Sequence, residues 1–355
     1  MFNKKILIEV NLKHLIDNYL KIIKKLNSKT KISAVIKSNA YGLGIFKICS
    51  QLIKKKCKNF WVYTIDEAIK LIPIKTKINI YILGSGTTDY EFKIAKKHGF
   101  KFVIYDLKQL NNFIKSEYNN LPIVLNFDTG IGRDGLQIKN YKFKKYRKIN
   151  TILITTHLAS AEKPYKKFNN KQLTLFFKIK KLFPNTPVSI SNSAGILLGS
   201  QYHFDMVRCG GLIYGINVKN KKSIKVKAVV SIIANILSKK TLYKNSSIGY
   251  NSTYKANKGD KILLINCGYY NGFTRILSNN FFVYIHGYYL PIIGILSMNI
   301  ITVNANCLPH NMFKNIKYVE IIGKKIKLEY IAKSAYLDPR EILTNFSMNE
   351  KIYKH

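Results

Sequence analysis

The chain has 355 residues, 47% of them hydrophobic, enough for a large core and more than a single small module requires. Lys and Arg number 59 against 18 Asp and Glu, a formal net charge of +41; the basic residues run along the whole chain, accompany abundant Ile, Asn, Tyr and Phe, and form no nucleic-acid motif, so compositional drift accounts for the charge better than a dedicated polyanion partner. No apolar run reaches membrane-spanning length, and Cys49, Cys57, Cys209, Cys267 and Cys307 contain no C-x-x-C pair, so they read as reduced thiols of a cytoplasmic protein.

The segment Met1–Val10 lacks the long apolar core and small-residue cleavage site of a signal peptide and reads as a first strand. From there to about residue 220, short apolar runs alternate with helical patterns. The runs are Ile32–Ile36, Phe60–Thr64, Ile78–Leu83, Phe102–Tyr105, Ile123–Phe127, Ile152–His157, Val188–Ser191 and Met206–Cys209. Helical periodicity marks Leu12–Leu26, Phe46–Lys56 and Lys171–Leu182. Eight strands separated by crossovers predict a (β/α)8 barrel over residues 1–225; an open doubly wound sheet is disfavoured because no G-x-G-x-x-G follows the first strand. Beyond the basic linker Lys219–Lys225 the pattern changes. Val226–Leu237, Lys261–Cys267, Phe281–His286, Leu290–Leu296, Ile301–Asn304 and Tyr318–Ile322 read as strands joined by short turns, with one helix near Leu328–Tyr336. Residues 226–355 are therefore a smaller, mostly β domain, and the first strand of the chain is free to pack with it.

A barrel places its chemistry at the C-terminal ends of its strands. Lys37 ends the first run, Arg133 follows the fifth, His157 ends the sixth, Asn192 and Ser193 end the seventh, and Arg208 lies at the end of the eighth. These polar groups, far apart in sequence, converge on one face. A lysine at a strand mouth can lose its proton and act as a nucleophilic amine. The loops after strands seven and eight, with Ser193, Gly210 and Gly211, have the small residues and exposed N–H groups that hold phosphate. A reactive lysine beside a phosphate cradle fits pyridoxal 5′-phosphate (PLP). No metal-ligand cluster is evident.

The segment Ala34–Gly44, AVIKSNAYGLG, resembles the cofactor-lysine motif of the alanine racemases, usually AVVKANAYGHG, with Leu43 in place of the usual histidine. The resemblance extends over nearly the whole chain: Asp128–Arg133 is similar to DTGMGR, Thr156–Ala161 to THFA-x-A, Asn192–Ala194 to NSA, and Val207–Gly215 to VRPG…YG. Gly249-Tyr250, Gly268-Tyr269 and Ser297-Met298 follow in order. It implies an L/D-alanine racemase working by two-base proton transfer on a PLP aldimine and supplying D-alanine for peptidoglycan. Lys37 would carry the cofactor and be one base, with Tyr250 as the opposite base from the second subunit of a homodimer with shared sites. Tyr41, Ser193, Gly210 and Gly211 would hold the phosphate, Arg208 the pyridine nitrogen, and His157, with Asn192 nearby, would support Arg208 and the ring. Arg133 and the Met298 backbone would orient the substrate carboxylate, Tyr269 would line the entry, and Met348 would form part of the pocket wall.

Some positions depart from the family pattern. Asn271 and Asn299 stand where an acid is usual, and Met348 where a tyrosine is usual. Asn126 replaces a lysine that in many relatives is carbamylated and positions the arginine; a chloride beside Asn126 is the expected substitute. Competing expectations are another PLP enzyme of the same architecture, a decarboxylase or broad-specificity racemase, and a degenerate scaffold that binds polyanions.

Overall fold

In the computed structural model, which describes residues 6–74, 78–84, 86–141, 146, 148–163, 167–218 and 224–355, strand β1 (Ile6–Asn11) is followed by eight parallel strands. These are β2 (Lys31–Val35), β3 (Asn59–Val62), β4 (Asn79–Ile82), β5 (Lys101–Ile104), β6 (Ile123–Asn126), β7 (Thr151–Thr155), β8 (Val188–Ser189) and β9 (Met206–Cys209). Each of β2 to β7 pairs with the next, and β9 returns to pair with β2. Across the remaining seam the Asp205 N–H donates to the Val188 carbonyl at 3.2 Å and the Arg208 N–H to the Ser191 carbonyl at 2.9 Å. The sheet thereby closes into the barrel expected from the alternation of apolar runs and helices.

Strand periodicity sorts the barrel residues. Trp61, Tyr81, Val103, Val124, Leu153 and Met206, one from each of six strands, pack into a single buried cluster. Trp61 stacks on Tyr81 with centroids 4.5 Å apart, and its indole N–H donates to Ser33 Oγ at 2.8 Å. Ser33 pairs in register with Arg208, so Arg208 shares this inward-facing side. Outside, helices show the complementary period: Ile45–Lys54 buries Ile45, Ile48, Cys49 and Leu52.

Two compact units result. One comprises Leu15–Ala40 and Gly44–Lys227; the other comprises residues 6–14, Tyr41–Leu43 and Ala228–His355. Met1–Lys5, read as the start of the first strand, and most of the basic linker, 219–223, lie outside the described residues.

The second unit contains β10 (Val230–Thr241), β11 (Ser246–Ile248), β12 (Tyr254–Ala256), β13 (Lys261–Ile265), β14 (Phe282–Ile285), β15 (Tyr288–Pro291), β16 (Ile301–Asn304), β17 (Tyr318–Ile322) and β18 (Lys351–Lys354). The long β10 pairs antiparallel with β1 and β17 through its first half and with β13 through its second, after a register shift between Ile236 and Ser238. β1 lies between β10 and β18. The single expected helix near Leu328–Tyr336 is Leu328–Ser334, and His310–Asn315 and Pro339–Asn345 are helical as well. These are too short to show a 3.6-residue period. Pro339 at the first turn and the Asp338 side chain accepting the Arg340 N–H at 2.7 Å mark the last of them. The run Leu290–Leu296 stays extended only to Pro291, because Gly294 turns the chain with φ +75°. Among the described residues no helix is long and apolar enough to cross a membrane.

Candidate active site

Lys37 stands two residues beyond β2. The chain that follows is a left-handed turn: Ser38, Asn39, Ala40 and Tyr41 have φ of 54°, 54°, 55° and 56°, and Gly42 continues at 82°. Each non-glycine residue in this region costs about 1–2 kcal/mol, so the four cost roughly 4–8 kcal/mol. Burial and hydrogen bonds offset it. Ala40 is buried and its N–H donates to the Ile36 carbonyl at 2.8 Å. Asn39 is held through several groups. Its N–H donates to Glu67 Oε1 at 2.8 Å, its Oδ1 accepts the Ile45 N–H at 2.9 Å, and its carbonyl accepts the Gly44 N–H at 3.0 Å. Lys37 Nζ lies 5.7 Å from the centroid of the Tyr63 ring, just beyond the end of β3. The Tyr214 hydroxyl donates to the Val35 carbonyl at 3.0 Å and fixes the end of β2.

Arg208 is a buried cation. Nη1 donates to the Ser189 carbonyl at 2.9 Å and to Ser189 Oγ at 2.7 Å; Nη2 donates to the Thr156 carbonyl at 2.5 Å. The guanidinium lies 5.8 Å from the Trp61 ring. Burial pulls its pKa down to about 10, so it stays charged at neutral pH. Among the described residues no carboxylate pairs with it. A fixed positive charge held by carbonyl and hydroxyl oxygens is suited to meet an acceptor from a ligand.

Ser193 Oγ gathers the next cluster. It accepts the Gly210 N–H at 3.0 Å and the Leu212 N–H at 3.4 Å, and contacts Cys209 Sγ at 3.6 Å. Burial pushes the Cys209 thiol up to about 12, so no thiolate competes with an incoming anion. A Cβ built on Gly211 would come no closer than 3.6 Å to Ile216, which leaves room beside the convergent N–H groups. Asn192 Oδ1 accepts the Gly195 N–H at 2.9 Å, and its Nδ2 donates to His157 Nε2 at 3.4 Å, which requires that ring nitrogen to be unprotonated. The donor set thus fits a phosphate beside an aromatic ring nitrogen: hydroxyl and backbone N–H groups at one end, a permanent cation at the other.

Two side chains that the sequence does not single out hold these loops together. Gln172 is fully buried. Its Nε2 donates to Thr129 Oγ1 at 3.1 Å and to the His157 carbonyl at 3.0 Å, and its Oε1 accepts the Ala159 N–H at 2.9 Å. Glu67 joins the loops after β2 and β3 through Asn39 and, at 2.7 Å, through the Tyr63 N–H. Arg133 is exposed and paired with Asp134 at 3.3 Å. Its loop is shaped by Asp128, whose Oδ1 accepts the N–H groups of Gly130, Ile131 and Gly132.

In the β unit, Tyr269 and Met298 adjoin: the Tyr269 N–H donates to the Ser297 carbonyl at 3.3 Å and the Tyr270 N–H to the Met298 carbonyl at 2.9 Å. A Cβ on Gly268 would lie 2.3 Å from the Met298 carbonyl oxygen, so only glycine permits this approach. Tyr250 is exposed and follows Gly249, whose backbone abuts Gly294 and Ile295. The segments carrying Tyr41 and Met348 also approach one another, because Gly42 abuts Ser347 and the Tyr353 hydroxyl donates to the Leu43 carbonyl at 2.9 Å.

Residues 10–218 match the family model for the alanine racemase N-terminal domain, and residues 229–353 match that for the alanine racemase C-terminal domain. The chain belongs to the alanine racemase family. The alanine racemase of Rickettsia akari (strain Hartford) is 32% identical over 357 residues, covering 98% of this chain and 98% of the relative. That of Brucella abortus (strain 2308) is 30% identical over 360 residues, covering 95% of this chain and 90% of the relative. A crystal structure of alanine racemase from Bartonella henselae with covalently bound pyridoxal phosphate superimposes with a TM-score of 0.89 at 30% identity, covering 99% of each chain. Where this alanine racemase departs from the family pattern, two of the replacements have local partners. Asn126 Nδ2 donates to the Asp134 carbonyl at 2.9 Å and its Oδ1 accepts from the Thr155 hydroxyl at 3.0 Å. Asn271 Oδ1 accepts the Gly268 N–H at 3.1 Å. Asn299 and Met348 are exposed.

Proposed function

We propose that this alanine racemase holds PLP covalently on Lys37 and moves the substrate Cα proton with Lys37 and Tyr250 as opposed bases. The observation behind this is the convergence, at the C-terminal ends of the barrel strands, of Lys37, the buried cation Arg208 and the Ser193–Gly210–Leu212 donors. PLP, when bound, would delocalise the electron pair left on Cα when its proton departs. The remaining roles belong to side chains. Ser193 Oγ and the N–H groups of Gly210, Gly211 and Leu212, with Tyr41, would receive the phosphate. Arg208 would donate to the pyridine nitrogen and, as a permanent cation, give it no proton. This limits electron withdrawal and favours return of the proton to Cα. His157, with Asn192 beside it, would support Arg208 and the ring. Arg133 and the Met298 backbone N–H would orient the substrate carboxylate, with Tyr269 at the entry and Met348 at the pocket wall.

The Lys37 amine would take or return a proton on one face of Cα and the Tyr250 phenol on the other. Tyr250 is exposed, consistent with a base contributed by a second copy of the chain in a homodimer with shared sites. Residues 1–225 would thus supply the cofactor site and 226–355 the opposing base. The second N–H of Asn126 is the donor a chloride beside it would take. The buried free thiols of Cys49, Cys57, Cys209 and Cys267 suit a reducing cytoplasm. The test is exchange of the alanine Cα–H with solvent deuterium, together with L-to-D conversion, by wild type and Lys37→Ala loaded with PLP. Wild type should turn over and Lys37→Ala should lose both activities by roughly 1000-fold or more, the scale of a lost proton-transfer group; equal rates would refute the assignment.

A further inference from the structure

We propose that Glu67 is the positioning residue that sets Lys37 at the cofactor, by clamping with one carboxylate the two loops on which the lysine rests. This builds on the assignment of Lys37 as the cofactor lysine. Glu67 Oε1 accepts the N–H of Asn39, two residues beyond Lys37, at 2.8 Å; Oε2 accepts the N–H of Tyr63 at 2.7 Å. The Tyr63 ring is the surface beside Lys37 Nζ, and it packs against Gly84, where a Cβ would come within 2.7 Å of the ring. One half-buried side chain therefore fixes the backbone on the far side of the lysine and the aromatic face next to its amine.

The clamp acts where the chain most needs it. Ser38, Asn39, Ala40 and Tyr41 are all left-handed, a conformation that persists only when its surroundings over-determine it. The Asn39 carbonyl and Oδ1 are held from within the same loop, by Gly44 and Ile45. Its N–H is held from outside, by Glu67. Both acceptors of the clamp are carboxylate oxygens, and the charge strengthens and shortens such bonds. Gln cannot reproduce it, because its amide nitrogen would face one of the two N–H donors. Asp is one methylene short. The neighbouring Asp66 is exposed and serves as a control for charge alone.

The experiment compares Glu67→Ala, Glu67→Gln, Glu67→Asp and Asp66→Asn by two readouts. The first is amide hydrogen exchange in cofactor-free protein, which does not depend on activity: the Asn39 N–H should exchange about tenfold faster or more in Glu67→Ala and Glu67→Gln, the scale of one lost charge-assisted bond, and at the wild-type rate in Asp66→Asn. The second is cofactor dissociation from the holoenzyme, followed by its visible circular dichroism: it should be faster by a similar factor in the first two variants, intermediate in Glu67→Asp and unchanged in Asp66→Asn. If Glu67→Ala lowers only the melting temperature and leaves both readouts at wild type, Glu67 is merely a cap for its own helix and the inference is overturned. The isosteric Glu67→Gln decides the same question should Glu67→Ala fail to fold. A wild type that retains no cofactor on Lys37 defeats the functional reading instead, and Asn39 exchange then decides the clamp by itself.

Discussion

Replacing Gln172 by Glu should convert a pH-independent structural bond into a pH-dependent one. The change is isosteric, yet the atom that donates to the His157 carbonyl at 3.0 Å and to Thr129 Oγ1 at 3.1 Å becomes an oxygen. The Thr129 hydroxyl can turn and donate; the His157 carbonyl cannot. The introduced carboxylate, when ionised, would leave two buried acceptors facing each other, at about 1–3 kcal/mol. When protonated it would donate to the His157 carbonyl and restore the bond, so the folded state would retain the proton to higher pH than the unfolded chain, whose carboxyl titrates near ~4.3. Between those two values the native state binds more protons, and the Gln172→Glu variant must lose stability as pH rises through the window. Melting of the cofactor-free protein at pH 5 and pH 8, each against wild type, measures it. For a barrel of this size about 2 kcal/mol corresponds to roughly 4–8 °C. The deficit should be largest at pH 8 and shrink toward pH 4. A deficit of equal size at both pH values, or none at pH 8, would refute the bonding pattern assigned to Gln172.

Ser193→Ala removes the hydroxyl on which the Gly210 and Leu212 N–H groups converge; PLP affinity of the cofactor-free protein should fall about tenfold, near 1.4 kcal/mol, and an unchanged Kd would remove Ser193 from the phosphate site. Gly249→Ala forces a Cβ to 2.7 Å from the Ile295 nitrogen at φ +79°; it should destabilise the β unit by more than about 1 kcal/mol, seen as a lower urea midpoint, whereas wild-type stability would contradict the close approach. A thiol reagent at pH 8 should label Cys307 promptly and the four buried cysteines only after denaturation; rapid labelling of two or more would show that the cores are open. The Asp338 carboxyl is held below the usual carboxylate range, chiefly by the side-chain hydrogen bond from Arg340. Its contribution is therefore present above pH ~4 and lost as pH falls through its folded value. Both side chains are partly exposed, so Arg340→Ala should lower stability by less than about 1 kcal/mol at pH 7, with the difference from wild type vanishing near pH 2.

The barrel was legible because its strands are short apolar runs separated by helical patterns, and because closure turns every strand end toward one face. Lys37, His157, Ser193 and Arg208 could be gathered on that ground from residue order alone. Glu67 could not. Thr64-x-x-Glu67 reads as a capping box, and so does Thr88-x-x-Glu91. In the second case the Glu91 carboxylate does turn back to its own helix start, accepting the Thr87 and Thr88 N–H groups. In the first it crosses to another loop. The pattern is the same, and only the three-dimensional proximity of β2 and β3 separates the outcomes. The left-handed turn was equally silent, since Ser38, Ala40 and Tyr41 have no preference for positive φ and Asn39 alone hints at it. Short helices such as His310–Asn315 lie below the length at which periodicity can be read.

The placement of β1 bears on how the chain reaches this state during synthesis. Ile8 pairs on one side with Ile232 and on the other with Lys351. Translated ahead of the barrel, β1 must stay unpaired while the ribosome completes everything between, because neither neighbour yet exists. Residues 15–40 and 44–227 can assemble in the meantime, since β2 to β9 find partners among themselves. An apolar strand kept waiting with both edges open is an invitation to chaperones and to wrong pairings, and deleting either β1 or β18 should leave the barrel strands paired but open an edge in the sheet of the β unit.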